Sequence, residues 1–180
     1  MAEPNQSVDD RGRFFDVLVI ADVETLLGAY PDASLDPDVP TPVDSKYLYV
    51  IRGGAEPALG REDGRIVAPL VPGDALHLRD GALSYLGEKR VLFYRMTPDD
   101  AGVVGPIELL TRDATIVVPN PGDPEHPETR DVIEHVWRVP IVAVGSTDCD
   151  VDFMIADRAC TSLAHFTWRV RIEARGDESS

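Results

Sequence analysis

The clearest pattern in this 180-residue chain is a strict alternation near its end. In "HFTWRVRIEA", Phe166, Trp168, Val170 and Ile172 fall on one side of an extended backbone, and Thr167, Arg169, Arg171 and Glu173 on the other. Strand side chains alternate with period two, so this segment reads as a strand with one face in the core and one in water. "VLVIA" is apolar at every position from Val17 to Ala21, as a strand covered on both faces requires. Shorter runs of the same kinds predict strands at 15–21, 47–52, 66–71, 75–78, 90–96, 114–118, 136–144, 151–156 and 166–174. Many short strands with little helical periodicity mean an all-β sandwich or barrel.

Gly, Pro and Asp punctuate these runs. "DRG", "EDG" and "RDG" carry turn chemistry, with glycine free to take positive φ after a side chain that bonds its own backbone. "DVETLLGAY" is the one stretch that reads as a helical turn. Asp22 is placed to cap it, Glu24 suits the positive end of its dipole, and Gly28 is expected to end it.

With 43% hydrophobic residues the chain can fill one core. The expected organisation is a frayed N-terminus over 1–13, a single β-sandwich domain over 14–175 and a flexible tail over 176–180. Charge narrows the partners: 32 acidic residues against 17 Lys plus Arg give a formal charge of −15. Such a field repels phosphate backbones and anionic lipid, so neither nucleic acid nor membrane is expected as a partner. The N-terminus lacks the basic start and apolar stretch of a signal peptide, and no run reaches the ~18 apolar residues of a membrane span. A cytoplasmic location is expected. Cys149 and Cys160 flank a predicted strand whose extended residues alone cover roughly 23 Å, too far for a disulfide, so both are expected as free thiols.

Candidate chemistry is sparse. The acids Asp22, Glu24, Asp32, Asp36 and Asp38, and Asp148, Asp150 and Asp152 in "STDCDVD", offer oxygen ligands for Ca²⁺, with Asp22, Glu24, Asp148 and Asp150 the foremost candidates. Neither group has the spacing of an EF-hand loop, and caps and solvated loops account for both, so no metal and no cofactor are expected. His77, His126, His135 and His165 lack the pairing that marks zinc sites. No nucleophile elbow or phosphate-binding glycine loop occurs, and no catalytic residue is assigned. Tyr30, Tyr47, Tyr49, Tyr85, Tyr94, Trp137 and Trp168 are candidates for a ligand or glycan platform, against the simpler reading as core and cross-strand pairs.

Two segments carry a resemblance. "DVLVIADVETLLGAYPDASLDPDVPT" followed by "KYLYVI", and the closing "VDFMIADRACTSLAHFTWRVRIEA", resemble the inclusion-body protein family typified by PixA and AidA. The resemblance implies an immunoglobulin-like β-sandwich, here of about nine antiparallel strands with at most a short helical turn. It also implies a bacterial cytoplasmic protein without assigned chemistry, and it transfers no catalytic residue. Because an open sandwich must pair or protect its edge strands, the expected role is a non-enzymatic, self-associating homo-oligomer. Arg169 and Arg171, on the outward face of the last strand, are its candidate association face. The alternative is a small-molecule or carbohydrate-binding sandwich.

Overall fold

A computed structural model describes residues 12–53, 59–60 and 64–176 of the chain. The expected frayed ends fall almost wholly outside these residues. The strands are β1 (Phe14–Asp22), β2 (Thr41–Val43), β3 (Leu48–Arg52), β4 (Leu59–Gly60), β5 (Arg65–Ala68), β6 (Ala75–Leu83), β7 (Lys89–Pro98), β8 (Glu108–Val118), β9 (Glu128–Pro140), β10 (Gly145–Asp157) and β11 (Ser162–Ala174). One helix, α1 (Val23–Ala29), follows β1, and 3₁₀ turns occupy Ser45–Tyr47 and Tyr85–Gly87.

The strands form two sheets. The first has six strands in the order β4-β3-β1-β6-β9-β8. The second runs β2-β11-β10-β7, with β5 also paired to β11. The fold is a β-sandwich, as the strand pattern predicts. Its sheets are mixed rather than antiparallel throughout, because β1 pairs β6 in parallel and β11 pairs both β2 and β5 in parallel. The parallel pairings arise because β1 reaches β6, and β2 and β5 reach β11, across long connections rather than tight hairpins.

The last strand sets the register of the core. Phe166, Trp168, Val170 and Ile172 are buried, whereas Arg169 and Arg171 are exposed. Trp168 is 1% exposed and donates its indole N–H to Ser45 Oγ at 3.1 Å. Against these residues β10 lays Cys149, Val151, Phe153 and Ile155. The first sheet contributes Val17, Val19 and Ala21 from β1, Leu76 and Leu78 from β6, and Trp137 and Val139 from β9. Burial of apolar surface at about 25 cal/mol per Å² drives the two inner faces together.

Several expectations change. Among the described residues β1 is covered by a second sheet on one face only, and Leu18 and Ile20 on the outer side are half-buried. "RDG" is not a turn, because β6 runs straight through Asp80 and Gly81. Glycine is needed there for closeness: a Cβ on Gly81 would meet Ile20 Cγ1 at 3.3 Å and Leu18 Cδ1 at 3.4 Å. "EDG" keeps its turn reading at Gly64, whose φ is +66°, while its first two residues and most of "DRG" lie outside the described residues. α1 begins as expected, with Asp22 accepting from Thr25 N–H at 3.2 Å, but it runs through Gly28 to Ala29 and closes on the bond from Tyr30 N–H to Leu26 O. The largest differences are β8 and β9, which begin well before the predicted 114–118 and 136–144 and form one long hairpin, with β9 ending at Pro140 rather than at 144.

Candidate functional site

The predicted site residues lie in two separate places. Asp22 caps α1, and Glu24, in its first turn, accepts from Lys89 Nζ at 2.6 Å. Asp148 and Asp150 belong to β10 rather than to a solvated loop, because Thr147, Cys149 and Val151 alternate inward between them. Their carboxylates face the arginines of β11. Arg171 donates to both oxygens of Asp148 at 2.7 and 3.0 Å, and Arg169 to Asp150 at 2.9 Å and to Asp99. The hydrogen bond from Arg171 holds the Asp148 carboxyl below the usual carboxylate range. Among the described residues no three His, Cys, Asp or Glu side chains converge as a metal site. The outer face of the second sheet is therefore a ladder of matched charges.

The cysteines and the buried histidine are explained by packing. Cys149 is buried and Cys160 exposed, both as free thiols, and burial pushes the Cys149 thiol up to about 12. That removes Cys149 from use as a thiolate nucleophile. Ser162 Oγ lies 2.9 Å from His165 Nε2, a contact like the first step of a nucleophile–base pair. His165 Nδ1 is buried with no hydrogen-bond partner, so no carboxylate orients the ring as a triad requires. The candidate aromatic platform is divided: Trp137 and Trp168 are buried, Tyr30 packs edge-on against Tyr47 and Phe166, and Tyr94 hydrogen-bonds Pro37 O.

The outer face of the first sheet is different. A hollow of about 480 Å³ opens over the start of β1 and the adjoining parts of β6, β9 and β8. Arg79, Arg112 and Arg138 reach it from three strands, together with His77, Glu134 and Asp16. Glu134 accepts from Arg79 and, at 2.7 Å, from Arg112 Nε, which holds its carboxyl below the ordinary range. Phe14 stacks on His77 with ring centres 4.8 Å apart. Burial lowers the His77 pKa, Asp16 opposes that shift and the neighbouring arginines reinforce it, so His77 is neutral at neutral pH. At the rim, Asp74 accepts from the backbone N–H groups of Arg13 and Val71 at 2.9 and 3.1 Å, fastening the start of β1 to the loop before β6.

Beyond the hollow the hairpin of β8 and β9 leaves the sandwich. Trp137 on β9 donates to Phe93 O on β7 at 3.3 Å, which places the edge of the second sheet beneath β9. β8 overhangs that edge. The side of the hairpin that should face a second sheet carries Leu109, Ile133 and Val117, exposed by 49%, 73% and 69%. Sequence reading missed this ribbon because a strand exposed on both faces shows no period-two contrast. It also missed the hollow, whose residues come together only through the parallel β1–β6 pairing and the β6–β9 ladder.

A family model described as PixA, an inclusion body protein, matches residues 13–174. The chain belongs to the PixA inclusion-body protein family. A solved structure of an inclusion body protein (PixA) from Burkholderia cenocepacia is 17% identical, with a TM-score of 0.74 over 94% of this chain and 99% of that one. That likeness is one of fold. No curated protein matches the chain. Family membership agrees with the resemblance carried by the opening and closing segments, and the described residues contain no helix long and apolar enough to cross a membrane.

Proposed function

We propose that this PixA-family chain is a non-enzymatic, self-associating protein of the cytoplasm, and that its copies join through the ribbon of β8 and β9. The observation that carries this reading is the uncovered inner side of the ribbon, with Leu109, Val117 and Ile133 in water. A lone two-stranded hairpin is marginal in water. A second copy would cover these side chains, and the outer edge of the eleven-residue β8, which no described strand pairs, offers its N–H and C=O groups for antiparallel pairing with the same edge of a partner. A non-enzymatic role is supported by the high thiol pKa of Cys149 and the unoriented His165. Free thiols at Cys149 and Cys160 suit a reducing compartment.

Light scattering across a dilution series tests the proposal. The mass of the wild type is expected to rise with concentration above that of one chain, while Ile133→Asp stays at one chain with an unchanged melting temperature. A wild type that remains monomeric at high concentration, or an Ile133→Asp variant that associates like it, overturns the reading.

A further inference from the structure

The hollow on the first sheet contains a guanidinium that no side chain among the described residues matches. Arg79 and Arg112 share Glu134, and Arg79 also lies 3.5 Å from Asp16. Arg138 stands between His77 and Glu108 in the strand register, yet its guanidinium forms no hydrogen bond or ion pair among the described residues. General scarcity of carboxylates cannot explain this in a chain of net charge −15. On the second sheet both Arg169 and Arg171 are hydrogen-bonded to aspartates.

An unmatched guanidinium presents a planar fork of donors suited to a carboxylate. The space beside it is bounded by Phe14, Leu110 and Val136, and a volume near 480 Å³ lies in the range of small-molecule sites. We propose that this hollow binds a small organic carboxylate, with its head forked by Arg138 and its apolar body against Phe14, Leu110 and Val136. Arg13, which also lines the hollow, is paired with Asp74, and Arg79, Arg112 and Arg138 face the carboxylates of Asp16 and Glu134, so four guanidiniums stand against three carboxylates and one positive charge is left, which matches a monoanion. The apolar wall favours a ligand with a hydrocarbon body over a bare inorganic anion, which would leave that wall wet. The site stands apart from the ribbon contact and does not depend on it.

Calorimetric titration of the full chain near neutral pH with octanoate, neutral octanamide and inorganic phosphate tests the site. Octanoate is expected to saturate one site per chain, with octanamide and phosphate each weaker by about tenfold or more. Arg138→Gln should weaken octanoate by a similar factor, Arg138→Lys by less, and Arg171→Gln not at all. The lysine variant keeps the charge without the fork, so it reports on the site even if the glutamine variant fails to fold. Absence of saturable octanoate binding at millimolar concentration overturns the proposal. So does equal binding by Arg138→Gln or Arg138→Lys and wild type, or binding of octanamide or phosphate as tight as that of octanoate.

Discussion

The two outer faces of the sandwich are built from similar residues and put to opposite ends. On the second sheet the guanidiniums of Arg169 and Arg171 lie across the strand pair from Asp150 and Asp148, and each is held by the carboxylate opposite it. On the first sheet Arg138 is left over, apolar side chains line a hollow, and a ribbon projects past its cover. Charge in itself therefore does not mark a functional face. In the ladder each guanidinium is already held by a carboxylate, whereas an unmatched one beside apolar space has both the directional group and the surface that binding needs.

The contrast is tested most severely from beneath, where the matched face rests on the core. Trp168→Ala should cost about 3–5 kcal/mol in urea unfolding, because it removes a fully buried indole and leaves Ser45 Oγ without its donor. A harmless substitution would mean that Trp168 faces outward and that the two faces are exchanged, since a one-residue slip moves every side chain across the sheet. Asp22→Ala should cost about 1 kcal/mol through loss of the cap on α1, measured the same way. The arginine ladder comes last. Arg169→Ala and Arg171→Ala should each change stability by no more than about 0.5 kcal/mol, as exposed ion pairs do, and should leave the oligomer intact. An oligomer dissolved by these changes would move the association surface to β11.

Acid separates the ladder from its surroundings. Asp148 titrates below its unfolded value because Arg171 bonds its charged form. A carboxyl with a depressed folded pKa binds fewer protons than the unfolded chain does. Its contribution to stability is therefore present above the unfolded pKa near 4 and is lost as the pH falls through the folded one. The stability difference between wild type and Arg171→Ala should shrink toward zero as the pH falls from about 5 through the unfolded pKa near 4 and past the lower folded one. Urea titrations at several pH values would show it, and a difference that grows in acid would contradict the pairing.

How much of this was legible in the sequence follows from burial. β11 could be read residue by residue because water lies on one side and core on the other, and Asp22 could be read as a cap because capping is local. The polar half of β9, "ETRDVIEH", could not, since both of its faces meet solvent and nothing in the pattern distinguishes such a strand from a loop. Asp148 and Asp150 looked like a loop cluster because the intervening Thr147 and Cys149 are weak apolar signals. The hollow needs His77, Arg112 and Arg138, which only the order of strands brings together. Order across a mixed sheet is set by long-range pairing and leaves no local trace.

The account rests on a contact between copies at the open edge of β8. Amide hydrogen exchange measured at low and high protein concentration addresses it directly. Amides of β8 that point away from β9 should exchange rapidly in dilute protein and become protected as copies associate, while those of β10 and β11 stay protected throughout. Association that proceeds with no added protection in β8, or with new protection in β11 instead, would contradict it.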